Sequence, residues 1–170
     1  MGPDLREVFP AGRLLVTSNG IFAMQYRRLG SAGLKVSTLW LGGMSFGAPA
    51  KRAWVIDEPA SVRILDHAVG LGINVIDTCD VYCDGISEEL IGKFVRERGL
   101  RDQIVLATKC GWRVKGNTGV NQVGFSRRYI IEACERSLKR LQTDYIDLYQ
   151  THIWDPQTNI EEMVSAFDRL

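Results

Sequence analysis

Short apolar runs alternate with longer segments of helical spacing along most of this chain, and that alternation constrains its fold more than any other feature. Three of the runs occupy residues 73–76, 104–107 and 145–149. Unbroken apolar runs of this length are typical of strands with both faces covered, and the segments between them have the spacing of amphipathic helices. The sequence therefore predicts an α/β fold in which parallel strands and helices alternate as a barrel.

Ionisable residues follow these runs at the points where the predicted strands end. Asp77 and Tyr82 come after the first run, Lys109 after the second and His152 after the third. A parallel barrel gathers the carboxyl ends of its strands around one pocket. We therefore expect these four side chains to meet, although they are far apart in sequence.

The chain is organised regularly from Met24 onward. Residues 25–29 and 34–37 flank a glycine-containing turn and predict a β-hairpin. Ser87 and Ser126 are expected to cap the second and third helices. The remaining elements are predicted in alternation: strand 38–41, helix 59–71, strand 73–76, helix 87–98, strand 104–108, a helix after Ser126, strand 145–149 and a helix over 159–170.

Residues 1–23 do not share this regularity. They lack a basic start followed by an apolar core, and Asp4 and Glu7 lie where a signal peptide or organellar presequence avoids acids. Residues 14–17 are a candidate for a short strand. We expect an N-terminal extension, either disordered or translated from an upstream start codon, followed by one domain over 24–170. Because no export signal is found, we expect a cytoplasmic protein.

Charge and hydropathy each argue against one class of partner. The chain has 21 lysines and arginines against 20 aspartates and glutamates, a net charge of +1, and no dense basic run. It therefore lacks the electrostatic footprint of a nucleic-acid-binding protein. No apolar stretch approaches the roughly 18 to 20 residues that a membrane-spanning helix needs. We expect neither nucleic acid nor a membrane as a partner.

The cysteines and histidines do not form metal-ligand motifs. Their spacing contains neither paired CxxC sets nor a His-x-x-x-His pair, so we expect no metal site. Unpaired cysteines are typical of a reducing cytosol, although a redox-sensitive thiol near the pocket is the alternative. The residues concerned are Cys79, Cys83, Cys110, Cys134, His67 and His152.

Several local motifs resemble those of one protein family. In chain order they are YRRLG (26–30), LKVS (34–37), LGGMSFG (41–47), NVIDTCDVY (74–82), SEELIG (87–92), ATK (107–109) and DYIDLYQTH (144–152). Together they resemble the aldo-keto reductase family over residues 24–170, most of all the branch of potassium channel β subunits and aryl-alcohol dehydrogenases. The resemblance implies a (β/α)8 TIM barrel that binds NADP(H) and reduces aldehydes or ketones to alcohols.

The resemblance also implies roles for the four strand-end residues. Tyr82 would be the general acid, Lys109 a cation beside the phenol, Asp77 the partner that holds Lys109, and His152 the group that orients or polarises the carbonyl. A free phenol holds its proton firmly at neutral pH, which is why a neighbouring cation is needed. Taken singly, each residue also fits an ordinary structural role, such as a loop aromatic or a surface charge. Their joint occurrence favours the catalytic interpretation.

Further site residues follow from the same resemblance. Gly43 and Met44 lie in the loop that borders the nicotinamide ribose in relatives, and Asp77 also contacts the cofactor there. Trp112 and Trp154 are expected to line the substrate pocket, since aromatic side chains favour apolar or aromatic carbonyl compounds. Ordinary packing is the alternative for Met44 and for both tryptophans.

The length of the chain bears on its activity. A barrel of this kind needs at least about 250 residues, so 170 residues are expected to supply only the first half of it, ending within the fourth helix. Exposed strand edges would invite self-association of half-barrels. By itself the chain is expected to be inactive, and activity is expected only if such an assembly forms or if the chain is part of a longer product. Two alternatives stay open: a redox-sensing regulatory subunit that resembles a potassium channel β subunit, and a half-barrel remnant without function.

Overall fold

Four of the six strands form a parallel sheet, and a helix follows each of these four. The computed structural model describes residues 24–170; the predicted N-terminal extension and the candidate strand 14–17 lie outside the described residues. The elements, in chain order, are β1 (Tyr26–Arg28), β2 (Lys35–Ser37), β3 (Leu41–Gly42), α1 (Glu58–Gly70), β4 (Val75–Asp77), α2 (Ile86–Glu97), β5 (Val105–Cys110), α3 (Arg127–Leu141), β6 (Leu148–Thr151) and α4 (Ile160–Asp168).

The sheet has the order β3-β4-β5-β6 with parallel pairing throughout. Gly42 pairs with Asp77, and Lys109 pairs with Gln150. Parallel strands joined by helices bring their carboxyl ends to one edge of the sheet. The prediction of a parallel α/β fold is therefore confirmed.

Both faces of the sheet are apolar, as the unbroken strand sequences predict. Ile76 and Leu106 point to the face that α1 and α2 cover, and both are almost fully buried. Val75 and Val105, which alternate with them, point to the opposite face and pack with Val36 of the hairpin. The antiparallel β1-β2 hairpin thus covers the sheet at the start of its strands, opposite the edge where the strands end.

The first barrel strand was predicted over 38–41, which is wrong except at Leu41. The Ser37 hydroxyl donates to the Leu39 carbonyl at 2.7 Å, and the Trp40 indole N–H donates to the Ser37 carbonyl at 3.0 Å. These local bonds hold residues 38–40 in a bend rather than in the sheet. The Leu39 side chain is 63% exposed as a result.

The other strands also begin one to three residues later than predicted. The largest shift is in β6, predicted over 145–149, because Asp147 makes side-chain bonds before the ladder starts. Its carboxylate accepts hydrogen bonds at 2.8 Å from the Leu106 backbone N–H and from Arg101. The Arg101 guanidinium also lies 3.5 Å from the centre of the Tyr145 ring.

Helix capping follows the prediction at one position and departs from it at another. Ser126 caps α3 by accepting a hydrogen bond from the Tyr129 N–H, as predicted. Ser87 does not cap α2, because that helix begins at Ile86 after Gly85. The Ser87 hydroxyl instead donates to the Gly43 carbonyl at 2.8 Å and is completely buried.

Within residues 24–170, no helix is both long and apolar enough to cross a bilayer.

Gly92 allows α2 and α3 to pack closely. A Cβ atom at Gly92 would lie 2.3 Å from the carbonyl oxygen of Leu141 and 2.5 Å from its Cα atom, which is backbone that cannot rotate away. We expect Gly92→Ala to lower the free energy of unfolding by roughly 1 to 3 kcal/mol, measured by urea denaturation. Gly70→Ala is the matched control, since a Cβ atom there meets nothing within 4 Å. Equal stability of the two variants would contradict the prediction.

Candidate active site

The four predicted site residues lie at the edge where the parallel strands end. Asp77 is the last residue of β4, Lys109 is the penultimate residue of β5, and His152 directly follows β6. Tyr82 opens a short 3-10 turn between β4 and α2. The sheet hydrogen bonding continues past the strands here, because the His152 N–H donates to the Cys110 carbonyl at 2.9 Å. The structure therefore brings all four residues together.

Lys109 and Asp77 form a partly buried ion pair. The Lys109 ammonium donates at 2.7 Å to Asp77 Oδ2 and at 2.7 Å to the Thr78 carbonyl. The side-chain amide of Gln150 makes a longer contact, 3.4 Å, with Asp77 Oδ1. Two acceptors hold the ammonium in one place, which gives the site a fixed cation.

The Lys109 cation lies against Tyr82. Its Nζ atom is 5.1 Å from the centre of the Tyr82 ring, within the range of an attractive cation–π contact. The Tyr82 and His152 rings meet edge to face with centres 5.7 Å apart. A phenol, an ammonium and an imidazole are thus in one cluster, in which the phenol can donate a proton to an oxygen and the ammonium can stabilise the phenolate left behind.

His152 is held as a neutral imidazole. Burial lowers its pKa below the usual 6.5, the Lys109 ammonium lowers it further, and the Asp77 carboxylate partly opposes both effects. The ring is therefore uncharged at neutral pH. Its Nδ1 atom lies 3.0 Å from the Sγ atom of Cys79. A neutral imidazole can donate one hydrogen bond to a substrate oxygen while its other nitrogen is anchored by the protein.

The cluster opens into a cleft with a volume of about 450 Å³. Trp112 lies in its wall, edge to face with His152 at 6.3 Å between ring centres. Trp154 is 72% exposed and does not belong to the described lining. The lining residues are Met44, Lys51, Arg52, Trp54, Val55, Val81, Tyr82, Cys83, Trp112 and His152.

Gly43 and Met44, the two predicted cofactor residues in the loop after β3, differ from each other in exposure. The Met44 side chain is 53% exposed and faces the cleft. Gly43 is buried, and a Cβ atom there would lie 2.8 Å from Ile91 and 2.9 Å from the Ser87 hydroxyl. Its N–H donates to the Asp77 carbonyl at 2.7 Å. Close packing therefore explains the glycine at position 43, and Met44 is the residue of this pair that is open to a ligand.

The turn that carries Tyr82 has an unusual backbone. Cys83 and Asp84 both have positive φ angles, 50° and 60°, which cost non-glycine residues free energy. Two side-chain contacts hold the turn in place: Lys51 pairs with Asp84 at 2.6 Å, and the Ala48 N–H donates to Cys83 Sγ at 3.3 Å. The position of the phenol is thus determined by contacts with the loop that follows β3.

The structure adds residues that the sequence did not identify as site residues. The side-chain amide of Gln150 contacts Asp77. The sequence could have indicated this residue, because residues two apart on a strand share a face and Gln150 lies two residues before His152. Trp54 and Arg52 line the cleft with the guanidinium 5.5 Å from the indole centre. Their loop has no periodic pattern that predicts its path, so no sequence signal could have identified them.

The fold and the site together define part of a βα-barrel with a cluster of ionisable side chains at the carboxyl ends of its parallel strands. The model of the Aldo/keto reductase family matches residues 38–170. The chain belongs to this family.

Known relatives are similar over most of this chain. It is 41% identical over 161 residues to versiconal hemiacetal acetate reductase of Aspergillus parasiticus. This match covers 85% of this chain and 47% of the relative. It is 42% identical over 146 residues to a probable voltage-gated potassium channel subunit beta of Arabidopsis thaliana, covering 85% of this chain and 42% of that protein. The predicted resemblance to this family is therefore confirmed.

A solved structure shows the same fold. The holo form of an aldo-keto reductase from Bacillus halodurans superposes with a TM-score of 0.74 at 42% identity, covering 86% of this chain and 46% of the other. The chain spans about half the length of the relatives it matches. The four βα units described here thus correspond to about half of an aldo-keto reductase barrel.

Proposed function

We propose that this protein is an NADP(H)-dependent oxidoreductase that reduces aldehydes or ketones to alcohols, with Tyr82 as general acid. The observation that carries the proposal is the cluster in which Lys109, fixed by Asp77, lies against the Tyr82 ring beside a neutral His152. The match to a protein named as a reductase supports the reaction class.

Each residue has a separate task in the proposed reaction. Tyr82 donates its phenolic proton to the oxygen of the carbonyl as negative charge develops there. The Lys109 ammonium stabilises the phenolate that remains, and Asp77 keeps the ammonium in position. Neutral His152 donates a hydrogen bond to the same carbonyl oxygen. These contributions are stronger in the transition state than in the ground state, so they act on kcat.

The described residues fit the nicotinamide end of the cofactor. Among residues 24–170, Asp77 Oδ1 has only the long contact with Gln150, so it can still accept a hydrogen bond from a ribose hydroxyl. Met44 presents an apolar side chain at the same edge. Asp77 and Met44 would hold this end of the cofactor, and Gly43 would fix the loop that carries Met44. When bound, the nicotinamide supplies the hydride for carbonyl reduction.

The cleft indicates the kind of substrate. Met44, Trp54, Val55 and Trp112 give it apolar and aromatic lining, and Tyr82 and His152 line the same cleft. Such a site favours an apolar or aromatic aldehyde or ketone, whose carbonyl group would reach Tyr82. Trp154 stays a proposed substrate-contacting residue, although it would have to reach the substrate from outside the set of residues that line the cleft.

The function is tested by titrating the protein with NADPH, followed by fluorescence, and by recording NADPH oxidation with aromatic and aliphatic aldehydes. We expect saturable binding and turnover that favours the aromatic aldehydes. Absence of both binding and turnover in a monodisperse sample would overturn the proposal for this chain.

Replacing Lys109 with methionine is expected to lower kcat by about 10²-fold or more, with a smaller effect on NADPH affinity, because the cation acts on the phenolate of the transition state. Steady-state kinetics and the fluorescence titration measure the two effects. Lys93→Met is the control, since Lys93 forms an exposed pair with Glu58 on the helix surface. A change confined to KM would contradict the assigned role.

Two further proposals concern the setting of the protein. The described cysteines at positions 79, 83, 110 and 134 are all free thiols, which supports placement in the reducing cytoplasm. Within residues 24–170, β3 and β6 are the outer strands of the sheet and have no partner on their second side. We propose self-association through these edges, which size-exclusion chromatography with light scattering tests directly.

A regulatory subunit is the competing function. A protein that only senses the redox state of a bound cofactor needs affinity for it but does not need rapid proton donation. The two functions therefore differ in one measurement: a sensor would bind NADPH without appreciable turnover of any carbonyl compound, and Tyr82→Phe would change nothing.

A further inference from the structure

Cys79 is buried directly behind His152 and takes no part in the reaction proposed above. Its side chain is completely inaccessible to solvent. The Sγ atom lies 3.0 Å from Nδ1 of His152, 3.2 Å from Oδ1 of Asp80 and 3.4 Å from the carbonyl oxygen of Lys109. The thiol thus links the imidazole to a second buried polar group, the Asp80 carboxyl.

The thiol can supply one hydrogen to this cluster. Burial raises the pKa of Cys79 well above that of a free thiol, so the group keeps its proton at neutral pH. His152 Nδ1 is the nearest of its three acceptors. Asp80 Oδ1 is the second acceptor, at 3.2 Å; burial raises the pKa of this carboxyl to about 7, and a hydrogen bond from Cys79 opposes that rise. The thiol has one hydrogen for these three partners, and the shortest of the three distances, 3.0 Å to Nδ1, favours donation from Sγ to Nδ1.

The direction of this bond decides which nitrogen of His152 carries the ring proton. A neutral imidazole has one N–H group and one acceptor nitrogen. If Nδ1 accepts the thiol hydrogen, the ring proton is on Nε2, which points away from Cys79. Within residues 24–170, Nε2 has no hydrogen-bond partner, and His152 itself lines the cleft. The ring then presents an N–H donor to the cleft.

We infer that Cys79 is a positioning residue: through its contact with Nδ1 it holds His152 in the tautomer and orientation that present an Nε2–H donor to the substrate carbonyl. This inference rests on the proposed function only for its catalytic consequence, since the tautomer itself is a property of the protein without substrate. Alanine at position 79 would pack against the ring but would leave Nδ1 without its buried partner.

The experiment reads the tautomer directly. The chain has two histidines, so ¹⁵N NMR of the imidazole nitrogens needs only His152 and His67 to be assigned. At pH 7.5, above the lowered pKa of His152, we expect the wild-type ring to be the Nε2–H tautomer. Cys79→Ala should shift the ring toward the Nδ1–H tautomer or a mixture, and Cys79→Ser, which keeps a donor, should restore it. Cys134→Ala removes a buried thiol of α3 and should leave the signals of His152 unchanged.

Kinetics provide the second readout. We expect Cys79→Ala to lower kcat for carbonyl reduction by roughly 10- to 100-fold with little change in KM, the size of effect found for partners that orient metal-ligating histidines. Cys79→Ser should recover most of that loss. A wild-type Nδ1–H tautomer would overturn the inference even if every variant failed to fold. An unchanged tautomer and unchanged kcat in Cys79→Ala would also overturn it.

The two proposals can fail separately. If the wild-type protein reduces no carbonyl compound but holds the Nε2–H tautomer in a thiol-dependent way, the function is wrong and the positioning role of Cys79 stands. If the protein is active and its tautomer is indifferent to Cys79, the function stands and the positioning role is wrong.

Discussion

Tyr82→Phe is expected to lower kcat for carbonyl reduction by about 10² to 10⁴-fold while NADPH binds with unchanged affinity. The substitution removes only the phenolic oxygen, which is the proton donor in the proposed reaction, and general acids contribute rate factors of this size. The ring itself remains, so its contacts with Lys109 and His152 are kept. The loss should therefore appear in the chemical step rather than in binding.

The measurement is a comparison of steady-state kinetics and NADPH titration for the wild type and the variant. Tyr145→Phe is the matched control, because it removes the same atom from a tyrosine that lies before β6, at the opposite end of the sheet. Unchanged kcat in Tyr82→Phe would remove this residue from the acid role. An equal loss in the Tyr145 variant would indicate damage to the fold instead.

Glu88→Gln is expected to have the largest effect on stability, lowering the free energy of unfolding by about 3 to 5 kcal/mol. Glu88 is completely buried on α2. Its two carboxylate oxygens accept hydrogen bonds of 2.6 Å, one from the Thr108 hydroxyl of β5 and one from Arg140 of α3. An amide would leave the Arg140 guanidinium without its charge partner and would place an N–H₂ group against a donor.

Urea denaturation followed by circular dichroism measures this effect. Glu89→Gln is the control, since the neighbouring residue makes the same chemical change at an exposed position of α2 and should stay within about 0.5 kcal/mol of the wild type. Equal midpoints for the two variants would show that the buried pair does not stabilise the fold.

The helices could be predicted closely from the sequence because their signals are local. The amphipathic spacing of α1 and the cap of α3 at Ser126 depend on residues within a few positions of one another. Strand boundaries could not be predicted as well. The start of β6 depends on the hydrogen bond that the Leu106 N–H donates to the Asp147 carboxylate, which joins residues 41 positions apart.

The residues of the candidate site likewise divide into those that the sequence pattern predicts and those that depend on tertiary packing. Asp77, Lys109 and His152 could be predicted because each marks the end of an apolar strand, and parallel strands end at a common edge. The contact between Cys79 and His152 could not, since it depends on how a side chain packs behind the sheet. Trp54 lines the cleft but belongs to an irregular loop without a sequence signal, whereas Trp154, itself predicted to line the pocket, is not among the lining residues.

The bonds that build this site have a consequence for folding kinetics. Lys109 meets Asp77 across 32 residues, and Gln150 meets Asp77 across 73. Helices form from neighbours within nanoseconds to microseconds, whereas contacts this far apart must first overcome the entropy of closing long loops. Formation of the acid–base cluster is therefore tied to the slow, non-local part of the folding reaction. During refolding, ligand binding at this edge therefore reports that the sheet is complete. Helical content does not report this, because helices form from local contacts.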